Sequence, residues 1–141
     1  MPDNKTVKDP TGEVAERALK KTNVIKLTGW NANKNVWVFV APYDCKIDEV
    51  SLVSDTTVAA NDTNYYSFQV QNVTRSQALL SAAKTTRVTG GQAITLNVPY
   101  KLSPNQNTVI NAGDVLQLQV TETGTATDLV AAEVVAIVEY T

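Results

Sequence analysis

The 141-residue chain contains no histidine and a single cysteine, Cys45. The missing histidine removes Ser-His-Asp and Cys-His relays. It also removes the imidazole-based zinc, copper and non-haem iron sites. One cysteine can form neither an internal disulfide nor a thiolate cluster. Cys45 therefore reads as a small hydrophobe at the start of a strand, and the chain fits a reducing compartment or a fold that needs no bridges. What remains is carboxylate chemistry, lysine chemistry or none, and no metal or cofactor is expected.

Other gaps narrow the partners. No apolar run approaches the length of a membrane span, and Met1–Lys5 is polar, without the apolar core of a signal peptide. Neither a membrane partner nor a leader is expected. The net charge is −2 and the pI about 5.0, which opposes phosphate attraction, so nucleic acid is not expected either. No Lys or Arg follows Lys101; the last 40 residues carry only acids, Asp114, Glu122, Asp128, Glu133 and Glu139. Such a split reads either as solvated loop ends or as head-to-tail complementarity with a neighbour.

What is present reads as one domain behind an arm. Residues 1–23 are charged and poor in aromatics. Pro10-Thr11-Gly12 offers a start for a short helix, with Thr11 as cap and Val14, Ala15, Ala18 and Leu19 on one face. A segment that short is marginal alone, so residues 1–23 read as a tail, or as an arm that orders against something else. From Val24 onward the chain turns to short β-rich runs separated by turn residues. Expected strands are 24–28, 36–40, 45–54, 65–71, 93–98, 115–120 and 133–140. Val36–Val40 is apolar on both faces, predicting a strand covered on both sides with Trp37 in the core. In 45–54 the apolar phase slips between Ile47 and Val50, predicting a bulge near Asp48-Glu49. Tyr66, Phe68 and Val70 alternate cleanly, as do Ile94, Leu96 and Val98, and Leu116, Leu118 and Val120. Ser76–Ala83 is the one helical candidate beyond the arm. Even turn spacing without crossover helices favours an all-β sandwich or jelly roll of about eight antiparallel strands.

Few residues carry chemistry. Asp48 and Glu49 are adjacent on a strand, so their carboxylates point to opposite faces and cannot act as a pair. Asp55 and Asp62 are loop acids without converging oxygen ligands. Gly90-Gly91 lacks the Lys-Ser/Thr and helix of a phosphate loop and reads as a turn. Trp30, Trp37, Tyr43, Tyr65 and Tyr66 are the candidates for a sugar or base platform, against which Trp37 reads as core, and Trp30, Tyr43 and Tyr65 are the candidates for an exposed interface anchor. Tyr65 and Tyr66 place one ring on each face, so only one of them is exposed.

Three units carry a resemblance: Ala41-Pro42-Tyr43-Asp44-Cys45-Lys46-Ile47-Asp48-Glu49-Val50, Val58-Ala59-Ala60-Asn61-Asp62-Thr63-Asn64-Tyr65, and Asn111-Ala112-Gly113-Asp114-Val115-Leu116-Gln117-Leu118, before a Val-rich strand ending in Glu139-Tyr140. Over about residues 36–141 the chain resembles the cement or decoration proteins of tailed-bacteriophage heads, and domains of head fibres and tail appendages. The resemblance implies an eight-stranded jelly roll over residues 24–141 that forms a homotrimer. It implies a place on the outer surface of the virion capsid, at three-fold positions, where it clamps major capsid subunits. The arm residues Lys5, Lys8, Val14, Arg17, Leu19, Lys20 and Lys21 would then contact the capsid, and no catalytic residue is implied. The alternative reading is a carbohydrate-binding or adhesion module.

Overall fold

The computed structural model describes residues 19–28, 32–126 and 133–141. They form ten antiparallel strands: β1 (Lys21–Thr28), β2 (Lys34–Val40), β3 (Cys45–Ser54), β4 (Tyr65–Asn72), β5 (Gln77–Ala78), β6 (Lys84–Thr85), β7 (Tyr100–Lys101), β8 (Val109–Ile110), β9 (Val115–Thr123) and β10 (Glu133–Tyr140). One sheet runs β1-β10-β3-β7, with β8 also on β3; the other runs β2-β9-β4-β5, with β6 also on β4. The architecture is an all-β sandwich.

Alternation explains the long strands. In β4 every second residue is buried: Tyr66, Phe68, Val70 and Asn72. In β9 the same holds for Leu116, Leu118 and Val120, and in β10 for Val134, Ala136 and Val138. Adjacent strands keep this phase in register, with Phe68 opposite Val120 and Val70 opposite Leu118. The inner faces of both sheets therefore point into one core. Phe68 and Tyr100 meet edge to face with centroids 5.6 Å apart, a favoured aromatic geometry. The Tyr100 hydroxyl donates to the Thr85 carbonyl at 2.6 Å, so the ring is buried without an orphaned polar atom.

Two bulges interrupt the alternation. The first falls where the sequence places it: Glu139 pairs with Glu49 and Tyr140 with Ile47, leaving Asp48 unpaired. The second overturns an expectation. Trp37 pairs with Gln117 and Phe39 with Leu116, so Val38 is the extra residue. Val38 and Phe39 both turn inward, while Trp37 and Val40 turn outward, and Trp37 is 67% exposed. β2 is an edge strand with one covered face, and Trp37 is a surface residue. The Asn23 amide of β1 donates to the Val38 carbonyl at 3.1 Å, joining the two sheets at this edge.

Two further expectations fail for backbone reasons. Residues 93–98 do not form a strand: only Ile94 pairs, with Val58, and Asn97 takes a left-handed φ of 61°. Val98 N–H closes a turn onto the Thr95 carbonyl, and Leu96 and Val98 are exposed. Asn tolerates that conformation better than most residues. Ser76–Ala83 is not helical. Ser76 has a φ of 56°, Gln77–Ala78 pairs with β4, and Leu79 and Leu80 are both buried. The first strand begins at Lys21 rather than Val24. At the far end, Gly124 has a φ of +69°, and a Cβ there would collide with the Asn64 side chain and the Thr63 carbonyl.

The packing predicts where damage is greatest. Phe68→Ala removes a fully buried ring and should cost about 3–5 kcal/mol, measured by urea unfolding. Gln119→Ala, on the outward side of β9, should stay within about 0.5 kcal/mol of the native chain.

Candidate functional site

One end of the sandwich gathers four of the five described residues that the sequence singles out. There β1 begins, β10 ends, β2 gives way to β3, and β8 and β9 enter. The C-terminal Thr141 is held by reciprocal backbone bonds with Lys46 at 2.9 and 3.0 Å, and its hydroxyl bonds the Asp48 carboxylate. Tyr140 packs on Phe39 (4.8 Å between centroids) and on Tyr43 (6.2 Å). The Lys21 ammonium lies 5.9 Å from the centre of the Tyr43 ring, a cation–π distance. Leu19, Lys20, Lys21 and Tyr43 thus converge here. Lys5, Lys8, Val14, Arg17 and Trp30 lie outside the described residues.

The same end exposes apolar side chains that no sequence pattern flagged. At this end Val109, paired with Lys46, is 74% exposed, and Leu19, Val40, Tyr43 and Val73 are exposed as well. Val40 pairs with Val115, and Val73 N–H donates to the Val115 carbonyl, so these three valines form a row across the rim. Scattered surface hydrophobics need no explanation, but a set gathered at the end where β1 begins does.

A buried carboxylate braces this end. Asp114 Oδ2 accepts three hydrogen bonds: from Asn72 Nδ2 (3.0 Å), Arg75 Nε (2.8 Å) and the Asn111 backbone (3.0 Å). Its side chain is 3% exposed. The Asn111 N–H, then the Asn72 amide and the Arg75 guanidinium, hold the Asp114 carboxyl below the usual range. Gly113 completes the turn with a φ of +86°, a conformation glycine adopts without strain. Asp44 Oδ1 accepts from Ala112 N–H at 2.9 Å, tying the turn to the β2–β3 loop. The apolar rim therefore sits on a rigid base.

Cys45 is buried, and burial, followed by the charges of Asp44, Asp114 and Asp48, pushes its thiol up, away from the thiolate. Among the described residues no three His, Cys, Asp or Glu side chains are grouped to hold a metal ion.

Tyr65 lies at the opposite end of β4, half-buried, with the Arg87 guanidinium 5.3 Å from its ring centre; Tyr66 beside it is fully buried, as expected of the pair. Asp62 is a structural clasp. Thr89 donates to it through backbone N–H (2.9 Å) and hydroxyl (3.0 Å), and Arg87 lies 3.4 Å away. These contacts, the Thr89 N–H foremost, draw the Asp62 carboxyl down. A depression of about 130 Å³ near this end is lined by Ala59, Asn61, Asn64, Thr125 and Ala126. It is smaller than typical ligand pockets of roughly 300–1,000 Å³.

No protein-family model matches the chain, and no curated protein matches it. Among solved structures it is similar to a chain of the cyanophage Pam1 capsid asymmetric unit, with 18% sequence identity, a TM-score of 0.49, and coverage of 86% of this chain and 82% of that one. At that score the likeness carries no argument about function, which rests on the geometry.

The Asp114 brace predicts a pH dependence. A carboxylate whose native pKa lies below its unfolded value contributes stability that is complete above the unfolded pKa. That stability is lost as pH falls through the native pKa. Urea midpoints should fall on acidification from pH 6 to pH 3. Asp114→Asn should lower the midpoint at pH 6 and flatten that fall.

Proposed function

We propose that the chain is a structural, non-enzymatic protein of a tailed-phage virion. It is a cement or decoration protein that docks on the outer surface of the head and stabilises contacts between major capsid subunits, as a homotrimer at three-fold positions. One observation carries this reading: the root of the N-terminal arm and the exposed Val40, Tyr43, Val73 and Val109 share one rigid end of the sandwich. The sequence resemblance over residues 36–141 supports the capsid as the surface met there and supplies the trimer.

The strand order fits a jelly roll. Successive strands β1 to β4 alternate between the two sheets, and the long return of β9 and β10 inserts each beside strands laid down much earlier. The docking role needs no pocket. A protein that binds an assembled shell, and not its separate subunits, stabilises the shell by mass action. Many symmetric copies multiply a modest contact, and an exposed aromatic such as Tyr43 is a usual anchor for such contacts.

The test is co-sedimentation with phage heads lacking the protein. Val109→Glu combined with Val40→Glu should weaken binding at least tenfold without lowering the melting temperature. Deleting residues 1–18, which spares β1, should also weaken binding and leave the sandwich folded. Undiminished binding of the double variant would sink the docking end, and undiminished binding of the truncation would sink the arm.

A further inference from the structure

The outer face of the second sheet is chemically unlike the docking end. Its outward positions are Asn35 and Trp37 in β2, Gln117, Gln119, Thr121 and Thr123 in β9, and Tyr65, Ser67, Gln69 and Gln71 in β4, with Val40 and Val115 at the rim. None is charged. The first sheet differs: its outer face carries Lys26 and Glu133 as an ion pair, with Glu49 and Glu139 facing each other.

Cross-strand register arranges this neutral face in rows. Trp37 lies beside Gln117, and Gln117 beside Gln71; one row up, Asn35 lies beside Gln119, and Gln119 beside Gln69. The indole of Trp37 is therefore flanked by amides. Some of those amides are spent: Gln69 bonds both the N–H and the carbonyl of Leu80, and Gln119 Nε2 donates to Gln117 Oε1 at 3.0 Å. Asn35 and Gln71 make no side-chain hydrogen bond among the described residues, and the Gln117 amide nitrogen keeps its donors. Each free amide offers two donors and an acceptor.

We propose that this face binds an uncharged glycan chain, with the Trp37 ring as the stacking surface and Asn35, Gln71 and Gln117 as hydroxyl partners. The C–H face of a sugar ring is apolar and meets the electron-rich face of an indole favourably. The hydroxyls at the ring edge can both give and accept hydrogen bonds, matching amides and not ions. The strands around Trp37 carry no outward charge, and the Arg87 guanidinium over Tyr65, at the far end of β4, is already paired with Asp62, so the face fits a neutral ligand better than an anionic one. A mainly apolar protein face would instead strand the half-buried amides of Gln71 and Gln117, at the cost of unmade hydrogen bonds. Two strand spacings separate Trp37 from Gln71, about 10 Å, longer than one sugar ring, so an extended chain fits better than a monosaccharide. The inference goes beyond capsid docking; its surface meets the docking end only at Val40 and Val115.

The test is affinity electrophoresis of the full chain in native gels cast with dextran, galactomannan, xyloglucan or mixed-linkage β-glucan, beside alginate and hyaluronan as anionic controls. Retardation by at least one neutral polymer is expected, weakened at least tenfold in Trp37→Ala and several-fold in Gln71→Ala, with melting temperatures unchanged. Tyr65→Ala should bind as the native chain does. Failure of all four neutral polymers to retard the protein would overturn the proposal, as would equal retardation of Trp37→Ala or stronger retardation by the anionic polymers. So would an oligomer that Trp37→Ala dissociates and the neutral polymers do not, since the face would then be a protein interface. Capsid co-sedimentation is a separate readout, so either idea can fail without the other.

Discussion

The structure depends on keeping two alternating patterns in phase across a shared interior. Tyr66, Phe68 and Val70 of β4 and Leu116, Leu118 and Val120 of β9 line one side. Ile47, Val50 and Leu52 of β3 and Val134, Ala136 and Val138 of β10 line the other. A slip of one residue in any of these strands would turn its whole apolar set toward water. The surface chemistry follows from the same rule, because what is not turned inward is displayed. The neutral amide face and the apolar end are the complements of that core.

Much of this was legible before any coordinates. Tyr66-Phe68-Val70 and Leu116-Leu118-Val120 announce strands buried on one face, and the slip between Ile47 and Val50 announces the extra residue Asp48. What stayed hidden has physical causes. Val36–Val40 is apolar at every position, so its periodicity carries no phase; nothing local says that Val38 is the extra residue or that Trp37 is displayed. Ala93–Val98 has a clear two-residue period, yet the left-handed backbone at Asn97 ends any strand. Periodicity reports which side chains would suit a strand, not whether the backbone continues as one.

The apolar end is half legible in the sequence. Tyr43 and Lys21 stand out as residue types, but their meeting depends on β1 and β10 pairing over more than a hundred residues of sequence. In the sequence Asp114 is one of the acids that follow Lys101 and nothing marks it as a brace. Its partners Asn72 and Arg75 lie about forty positions away, and no spacing rule links them. Contacts that join distant loops are set by topology, and a single sequence carries no record of them.

The bond from the Asn23 amide to the Val38 carbonyl has a consequence for life in a crowd. It occupies a main-chain acceptor on the outermost strand of one sheet, at a point already bent by an inserted residue. A neighbouring molecule that tried to extend that sheet would meet a kinked, partly spent ladder. Molecules packed at high local density would then remain separate units instead of joining into a fibre.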